Sequence, residues 1–111
     1  MEITYDDFRK LRIKVDTVLE VKKNEKARKH SLVVKFYFGK ESGIKQYSAH
    51  ITHYYNAENL VGKQVSGVCN LPTKNIAGIV SEALMLGAIE KDGKVVLGQP
   101  SQKTDNGLDI A

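Results

Sequence analysis

An all-β domain, built on five strands that close into a small barrel, is the fold class that the sequence predicts. Short apolar runs, several of them alternating with polar residues, recur along the chain, and turn residues separate them. Helical patterns are confined to two short segments, 4–10 and 56–62. A chain of 111 residues is long enough for one core, and we therefore predict a single domain over residues 1–111.

The first short helix is predicted over residues 4–10. Thr4 can cap its N-terminus, and two aspartates follow where the helix dipole favours negative charge. Phe8 and Leu11 are three residues apart, so they share one face. Because a helix this short is not stable alone, we expect these two side chains to pack on the barrel or on a second subunit.

The first two strands are predicted over residues 11–21 and 32–38. The first begins with alternating apolar and basic residues, the pattern of a half-buried strand. The alternation slips in its second half, which predicts a bulge or a bend. In the second strand the apolar residues at even positions face inward, while Lys35 and Tyr37 face outward.

The third strand is predicted over residues 44–50, after a tight turn at 40–43. One of its faces carries the polar side chains of Gln46, Ser48 and His50.

Two more barrel strands follow the second helix, which Asn56 caps and which ends at Gly62. The apolar run 64–71 predicts the fourth strand, and proline, which has no N–H for a ladder, ends it. A polar loop at 73–75 leads to the fifth strand at 83–86, and a short last strand follows at 95–97. Three strands, a helix and two strands are the order of the OB-fold, a five-stranded Greek-key barrel.

Ser81 and Glu82 form a polar pair between two buried runs of the predicted barrel. This pair is either a structural hydrogen-bonding device or part of a ligand site, and the sequence leaves both interpretations open.

The charge distribution favours an acidic partner. The chain carries a formal net charge of +4 with a pI near 9.2. Residues 20–30 contain five of its Lys and Arg side chains against two Glu, a local charge of +3. Phosphate attraction makes RNA a candidate partner, and a merely soluble basic domain is the alternative.

No apolar run is long enough to span a membrane, the N-terminus does not resemble a secretory signal and one cysteine cannot form an internal disulfide. We therefore expect a cytoplasmic protein.

The sequence lacks the motifs of common enzyme classes, such as a P-loop, GxSxG or HExxH. His50 and His53 are three apart, but a metal site would need two further ligands. Cys69 lies in an apolar run and is expected to be a small core residue. We predict no catalytic residue, no metal and no cofactor.

Nucleic-acid binding is the function that the predicted fold and the charges favour together. A five-stranded barrel is too narrow to hold a ligand, so partners bind its outer face and loops. The face of strands two and three, with the flanking loops, presents groups that could attract phosphates or stack on a base. These candidate residues are Lys26, Arg28, Lys35, Tyr37, Gln46, Ser48, His50 and Lys74.

Several segments in order resemble the CsaA proteins, which belong to the wider tRNA-binding-domain family appended to methionyl- and tyrosyl-tRNA synthetases. The resemblance runs from about Phe8 to Asp109. It rests on GIKQYSAHIT at 43–52, LVGKQV at 60–65, Asn70-Leu71-Pro72, Ile76-Ala77-Gly78 and SEALMLG at 81–87. The chain departs from the family at Tyr47, where a serine is usual, and at Leu71 to Lys74, where Phe-Pro-Pro-Arg is usual.

The resemblance implies an OB-fold homodimer that binds tRNA, with a chaperone role in protein export as an alternative. It implies binding roles for Gln46, Ser48, Asn70, Ser81 and Glu82. Because a carboxylate repels phosphate, we expect Glu82 either to fix the 72–80 loop or to read a base edge. Lys74 and Asn75 are the expected direct contacts at the loop tip. The dimer interface is expected to contain Phe8, Leu11, Leu108 and Ile110.

Overall fold

The fold is described by a computed structural model that covers residues 1–26 and 31–111. Two helices and nine strands form in these residues: α1 Tyr5–Arg9, β1 Ile13–Lys23, β2 Leu32–Tyr37, β3 Ile44–Ala49, α2 Ala57–Leu60, β4 Gln64–Val68, β5 Lys74–Ile76, β6 Ile79–Ser81, β7 Leu84–Met85, β8 Gly87–Ile89 and β9 Val95–Leu97. The main sheet is antiparallel, with the order β3-β2-β1-β4-β7. The predicted all-β, five-stranded barrel with two short helices is confirmed.

The predicted irregularity in the first strand is a bulge at Leu19. Val18 lies opposite Phe36 and Glu20 lies opposite Lys35, so Leu19 has no partner across the ladder. It is 44% exposed. The extra residue restores the alternation beyond it, which returns Val21 to the core.

The core forms where the inward faces of the barrel strands meet. The even-numbered apolar residues of β2, together with Phe38, are buried as predicted, and Phe36 packs on Phe38 with ring centroids 5.2 Å apart. Leu60 of α2 is fully buried in the same cluster. The outer face of β2 therefore carries the alternate residues, among them Lys35 and Tyr37.

The prediction of a polar loop at 73–75 was wrong. Lys74 and Asn75 lie in β5, which pairs with β6 in a separate hairpin. The tip of this hairpin is Ala77-Gly78, and both residues have positive φ, the geometry of a type I′ turn. Lys74 and Asn75 therefore lie along one strand of the hairpin and not at its tip.

Several predicted boundaries also shift. The fourth strand ends at Val68 and not at residue 71, because the Arg12 N–H donates to the Asn70 side chain at 2.9 Å and does not continue the ladder. There the N–H of Cys69 donates to the Arg12 carbonyl at 3.0 Å. The third strand ends at Ala49, which leaves His50 exposed beyond it.

The N-terminal helix forms as predicted, with a capping box between Thr4 and Asp7. It buries no residue in the described chain. The C-terminal segment bonds to the edge of β1 beyond the end of β2: the Val15 N–H donates to the Leu108 carbonyl at 3.0 Å, and the Ile110 N–H donates to Ile13 at 2.7 Å. The C-terminal segment is thereby held against the barrel.

The barrel closes between β3 and the segment before β7 through side chains. The Ser48 N–H donates to Ser81 Oγ at 3.0 Å, and the Gln46 N–H donates to Glu82 Oε1 at 3.3 Å. Gln46 Nε2 also donates, to the Val80 carbonyl at 3.1 Å. In the other direction, the Glu82 N–H donates to the Gln46 carbonyl at 2.9 Å. Ser81 and Glu82 thus supply acceptors for a strand edge that has no continuous ladder there.

Asp16 is a buried acid on the inner side of β1. It is fully buried, and neither carboxyl oxygen has a hydrogen-bond partner among the described residues. The nearby Lys14, which the alternation had suggested would be exposed, is also buried, with its ammonium 3.9 Å from Glu41. Burial raises the pKa of Asp16 to about 8.

We expect the Asp16→Asn variant to unfold less readily than the parent at neutral and alkaline pH. The folded-state pKa lies above the ordinary value, so the folded chain holds a proton that the unfolded chain releases. Stability from this group is complete below about pH 4 and is lost as pH rises through about 8. The variant should gain roughly 4 kcal/mol at pH 7. Urea unfolding at several pH values, with exposed Asp105→Asn as control, checks this; parallel pH profiles of variant and parent would contradict it.

A second variant, Ser81→Ala, removes the oxygen that accepts the Ser48 N–H. Ser48 is buried, with 5% of its surface exposed. Leaving this donor unpaired should lower the free energy of unfolding by about 1–3 kcal/mol, measured as a lower urea midpoint. Glu82→Gln keeps an oxygen in place and should fold like the parent, as should the exposed Ser101→Ala. Unchanged stability of Ser81→Ala together with lost RNA binding would instead indicate a direct ligand contact.

Candidate nucleic-acid interface

The outer face of the barrel is organised in three rows across β1, β2 and β3. The register places Lys22, Val33 and Ser48 in one row, then Glu20, Lys35 and Gln46, and then Thr17, Tyr37 and Ile44. Successive rows are two residues apart, about 7 Å along the strands. This grid determines which of the predicted side chains can contact the same ligand.

A groove of about 710 Å³ crosses the first two rows, and we call it the basic groove. Its lining combines two apolar residues, Val33 and Ile79, with several lysines. The full lining is Glu20, Lys22, Lys23, Asn24, Glu25, Lys26, Val33, Lys35, Gly78 and Ile79. Four lysines against two glutamates make the groove positive, so it suits an anionic ligand.

The two carboxylates of the basic groove moderate its charge. Glu20 Oε1 lies 2.8 Å from Lys22 Nζ, and this pairing lowers the pKa of the Glu20 carboxyl below its ordinary value. Lys35, directly opposite Glu20 across the ladder, also contributes to that shift. Lys26 has no ion-pair partner within 4 Å among the described residues.

The β5–β6 hairpin forms one wall of the basic groove. The bonds from β3 to Ser81 and Glu82 hold the base of the hairpin, and the Gly78 N–H donates to Asn75 Oδ1 at 3.1 Å near its tip. The Lys26 stem packs over Gly78: a Cβ there would lie 3.3 Å from Lys26 Cδ. The absence of a side chain at Gly78 therefore lets Lys26 lie close to the hairpin.

Asn24 connects this wall to the loop after β1. It is buried, and its amide nitrogen lies 3.4 Å from Ser48 Oγ and 3.5 Å from the Ala77 carbonyl. Its Oδ1 accepts the Lys26 N–H at 3.2 Å. These contacts position Lys26 beside the hairpin tip.

A second, smaller groove of about 400 Å³ adjoins the basic groove along the outer face, and we call it the outer shelf. It is lined by Leu19, Glu20, Lys35, Ile44, Lys45, Gln46 and Glu82. Glu20 and Lys35 line both grooves. Leu19 and Ile44 give the shelf an apolar surface that is open to solvent.

The structure brings some predicted binding residues together and separates others. Lys26 and Lys35 line the basic groove, Gln46 and Glu82 line the outer shelf, and Tyr37 is half-buried opposite Ile44. Ser48 and Ser81 lie beneath this surface, each largely buried. Lys74, Asn75 and His50 are exposed and line neither groove. Arg28 lies outside the described residues.

Asn70 is placed away from the grooves. Its Oδ1 accepts the Arg12 N–H at 2.9 Å, and its Nδ2 donates to the Lys10 carbonyl at 2.7 Å. It thereby holds the segment between α1 and β1. A binding role for Asn70 stays a prediction.

Sequence reasoning did not include Leu19, Ile44, Lys45 and Asn24 among the site residues. The slip in the alternation of the first strand was a usable signal for Leu19, because a bulged residue leaves the ladder and turns outward. Nothing in the local pattern distinguishes Ile44 from an inward residue of a strand.

The residues predicted for a dimer interface are apolar, and we call them the apolar seam: Phe8, Leu11, Leu108 and Ile110. Leu11, Leu108 and Ile110 are between 37% and 47% exposed, and Phe8 is half-buried. Phe8, Leu11 and Ile110 surround one cavity of about 240 Å³, whereas Leu108 does not line it. The seam therefore joins the N-terminal helix to the C-terminal segment.

Within the described ranges, no group of three or more His, Cys, Asp or Glu side chains could hold a metal ion. No helix there has the length and hydropathy that crossing a membrane requires. Cys69 is half-buried, packs against the core and donates its thiol to the Arg12 carbonyl at 3.3 Å.

A small OB-type barrel that carries a lysine-rich groove on its outer face is the class of domain that these features define. The chain belongs to the tRNA-binding-domain family: the family model described as "Putative tRNA binding domain" matches residues 13–109. This bears out the resemblance seen in the sequence.

Similar proteins fall into two groups. The chain is 42% identical to the CsaA chaperone protein of Picrophilus torridus, with a TM-score of 0.91 over 99% of this chain and 100% of that one. The chain is 37% identical to the chaperone CsaA of Bacillus anthracis, with a TM-score of 0.90 over 100% of both chains. The chain is also 36% identical to a methionine–tRNA ligase of Bacteroides fragilis over 108 residues, 97% of this chain, and spans 16% of the length of that ligase.

Proposed function

We propose that this protein is a non-catalytic tRNA-binding module and that the basic groove is where it holds the RNA backbone. The observation that supports this most directly is the convergence of Lys22, Lys23, Lys26 and Lys35 on one groove in a member of the tRNA-binding-domain family. Ammonium groups bind phosphates as point charges and need no fixed geometry. Such a site binds RNA by its backbone and shape.

The proposed unit is the whole chain, residues 1–111, acting as a homodimer in the cytoplasm. The apolar seam supports the dimer, because α1 buries no residue in its own chain and carries Phe8 next to Leu11. A helix of five residues requires a packing surface to persist. Two copies of the seam would supply that surface to each other.

A second candidate function is that of a chaperone for unfolded or export-destined polypeptides. It is favoured by the similarity to CsaA chaperones over the full length of those chains and by the exposed apolar side chains of the seam. Peptide binding there depends on apolar contact, so it should respond weakly to salt. RNA binding in the basic groove should weaken steeply with salt.

We expect bulk tRNA to bind with an affinity that falls steeply as salt rises. Lys35→Gln should weaken binding and make the slope of log K against log salt shallower by about one unit, because one phosphate contact is lost. Lys91→Gln, an exposed lysine between β8 and β9, is the matched control and should bind like the parent. A filter-binding titration at several salt concentrations measures both quantities. Absence of binding by the parent at low salt would refute the proposal.

For the dimer, we expect Leu11→Asp to shift the protein to monomer, because a charge replaces an apolar contact at the seam. Sedimentation velocity over a range of concentrations measures the change. Val61→Asp, with a similar exposure of 43% against 42% for Leu11, should remain dimeric. A parent protein that sediments as a monomer at all concentrations would show that the seam is not a dimer interface.

A further inference from the structure

The basic groove and the outer shelf form one continuous surface. They share Glu20 and Lys35, the middle row of the outer face. On one side of this row lie Val33 and Ile79, and on the other lie Leu19 and Ile44. An extended ligand that leaves the basic groove past Lys35 therefore reaches the shelf directly.

The shelf exposes two aliphatic side chains, one from β1 and one from β3. Leu19 is 44% and Ile44 is 61% exposed, and both line the same groove. The bulge turns Leu19 outward, and Ile44 lies directly opposite Tyr37 across the ladder. Single exposed aliphatic residues are common on protein surfaces, but here two line one groove together with Lys35 and Lys45. This combination gives one face both apolar and cationic contacts.

Cationic and apolar contacts alternate along the continuous surface of the basic groove and the outer shelf, and this alternation indicates the kind of ligand. The row of Lys22 and Val33 is followed by the row of Glu20 and Lys35, and beyond it the shelf presents Leu19, Ile44 and Lys45. Duplex RNA shows proteins its phosphates and riboses and hides its base faces in the stack. An unpaired strand shows both, with its phosphates beside bases that are free to pack on apolar side chains.

We propose that the basic groove and the outer shelf together hold an unpaired RNA segment of at least two consecutive nucleotides. Lysines contact its phosphates, while Leu19 and Ile44 pack against a base or its ribose. This inference rests on the proposed RNA-binding function and specifies the substrate class of that site. The rows are about 7 Å apart, so neighbouring bases of an extended strand have separate places.

The test compares a short single-stranded RNA with a duplex of the same sequence and with bulk tRNA, by fluorescence anisotropy at one salt concentration. We expect the single strand to bind about tenfold tighter than the duplex, since packing one base contributes on this scale. The Leu19→Ser, Ile44→Ser double variant should lose about tenfold in affinity for the single strand. Its affinity for the duplex and its salt slope should stay unchanged, because no cation is removed.

Ile89→Ser, at an exposed isoleucine of β8 outside both grooves, is the control and should bind like the parent. Because Leu19 and Ile44 are exposed, the double variant should fold, and its urea midpoint verifies this. Equal affinity for the single strand and the duplex, with tRNA still bound, would overturn the proposal of an unpaired RNA segment. The proposed tRNA-binding function would still stand. If the double variant binds the single strand as tightly as the parent does, the proposal is also overturned, because the outer shelf then does not contact the RNA. Failure of tRNA itself to bind would refute the proposed function instead.

Discussion

The hydrogen bonds between β3 and the Ser81-Glu82 pair are the interaction on which the rest of this surface depends. Beyond β2, the edge of β3 has peptide groups that a continuous ladder would ordinarily pair. Here side-chain oxygens accept two of its N–H groups, and one backbone bond returns from Glu82 to Gln46. Buried peptide groups left unpaired would destabilise the barrel. The same bonds fix the base of the β5–β6 hairpin and so determine where the wall of the basic groove stands.

The bulge in β1 is the second constraint on the outer face. A regular strand would turn either Leu19 or Glu20 inward, and the apolar sequence on both sides of them would be out of register. With Leu19 outside the ladder, Val18 and Val21 both reach the core, while Glu20 takes its place opposite Lys35. One irregularity thus satisfies the core and creates the exposed aliphatic part of the outer shelf.

The charges of the site are balanced more closely than its lysine content suggests. Glu20 pairs with Lys22, and Glu25 and Glu82 lie at the edges of the two grooves. The apolar seam is separate from this surface: it is formed by α1 and the C-terminal segment. The proposed RNA site and the proposed dimer interface therefore lie on different parts of one small domain.

The sequence by itself determined the barrel, both helix caps, the inward face of β2, the bulge and the basic character of the segment after β1. These are local properties: each follows from the spacing of apolar residues or from the chemistry of one cap. Only the tertiary structure decided that residues 74–76 form a hairpin strand, that Asn70 holds the chain before β1 and that Ser81 bonds to Ser48. It also decided that Lys14 and Asp16 are buried and that Leu19 and Ile44 line one groove. Each of these depends on which residues meet across long separations in the chain, and side-chain periodicity within one segment contains no information about that.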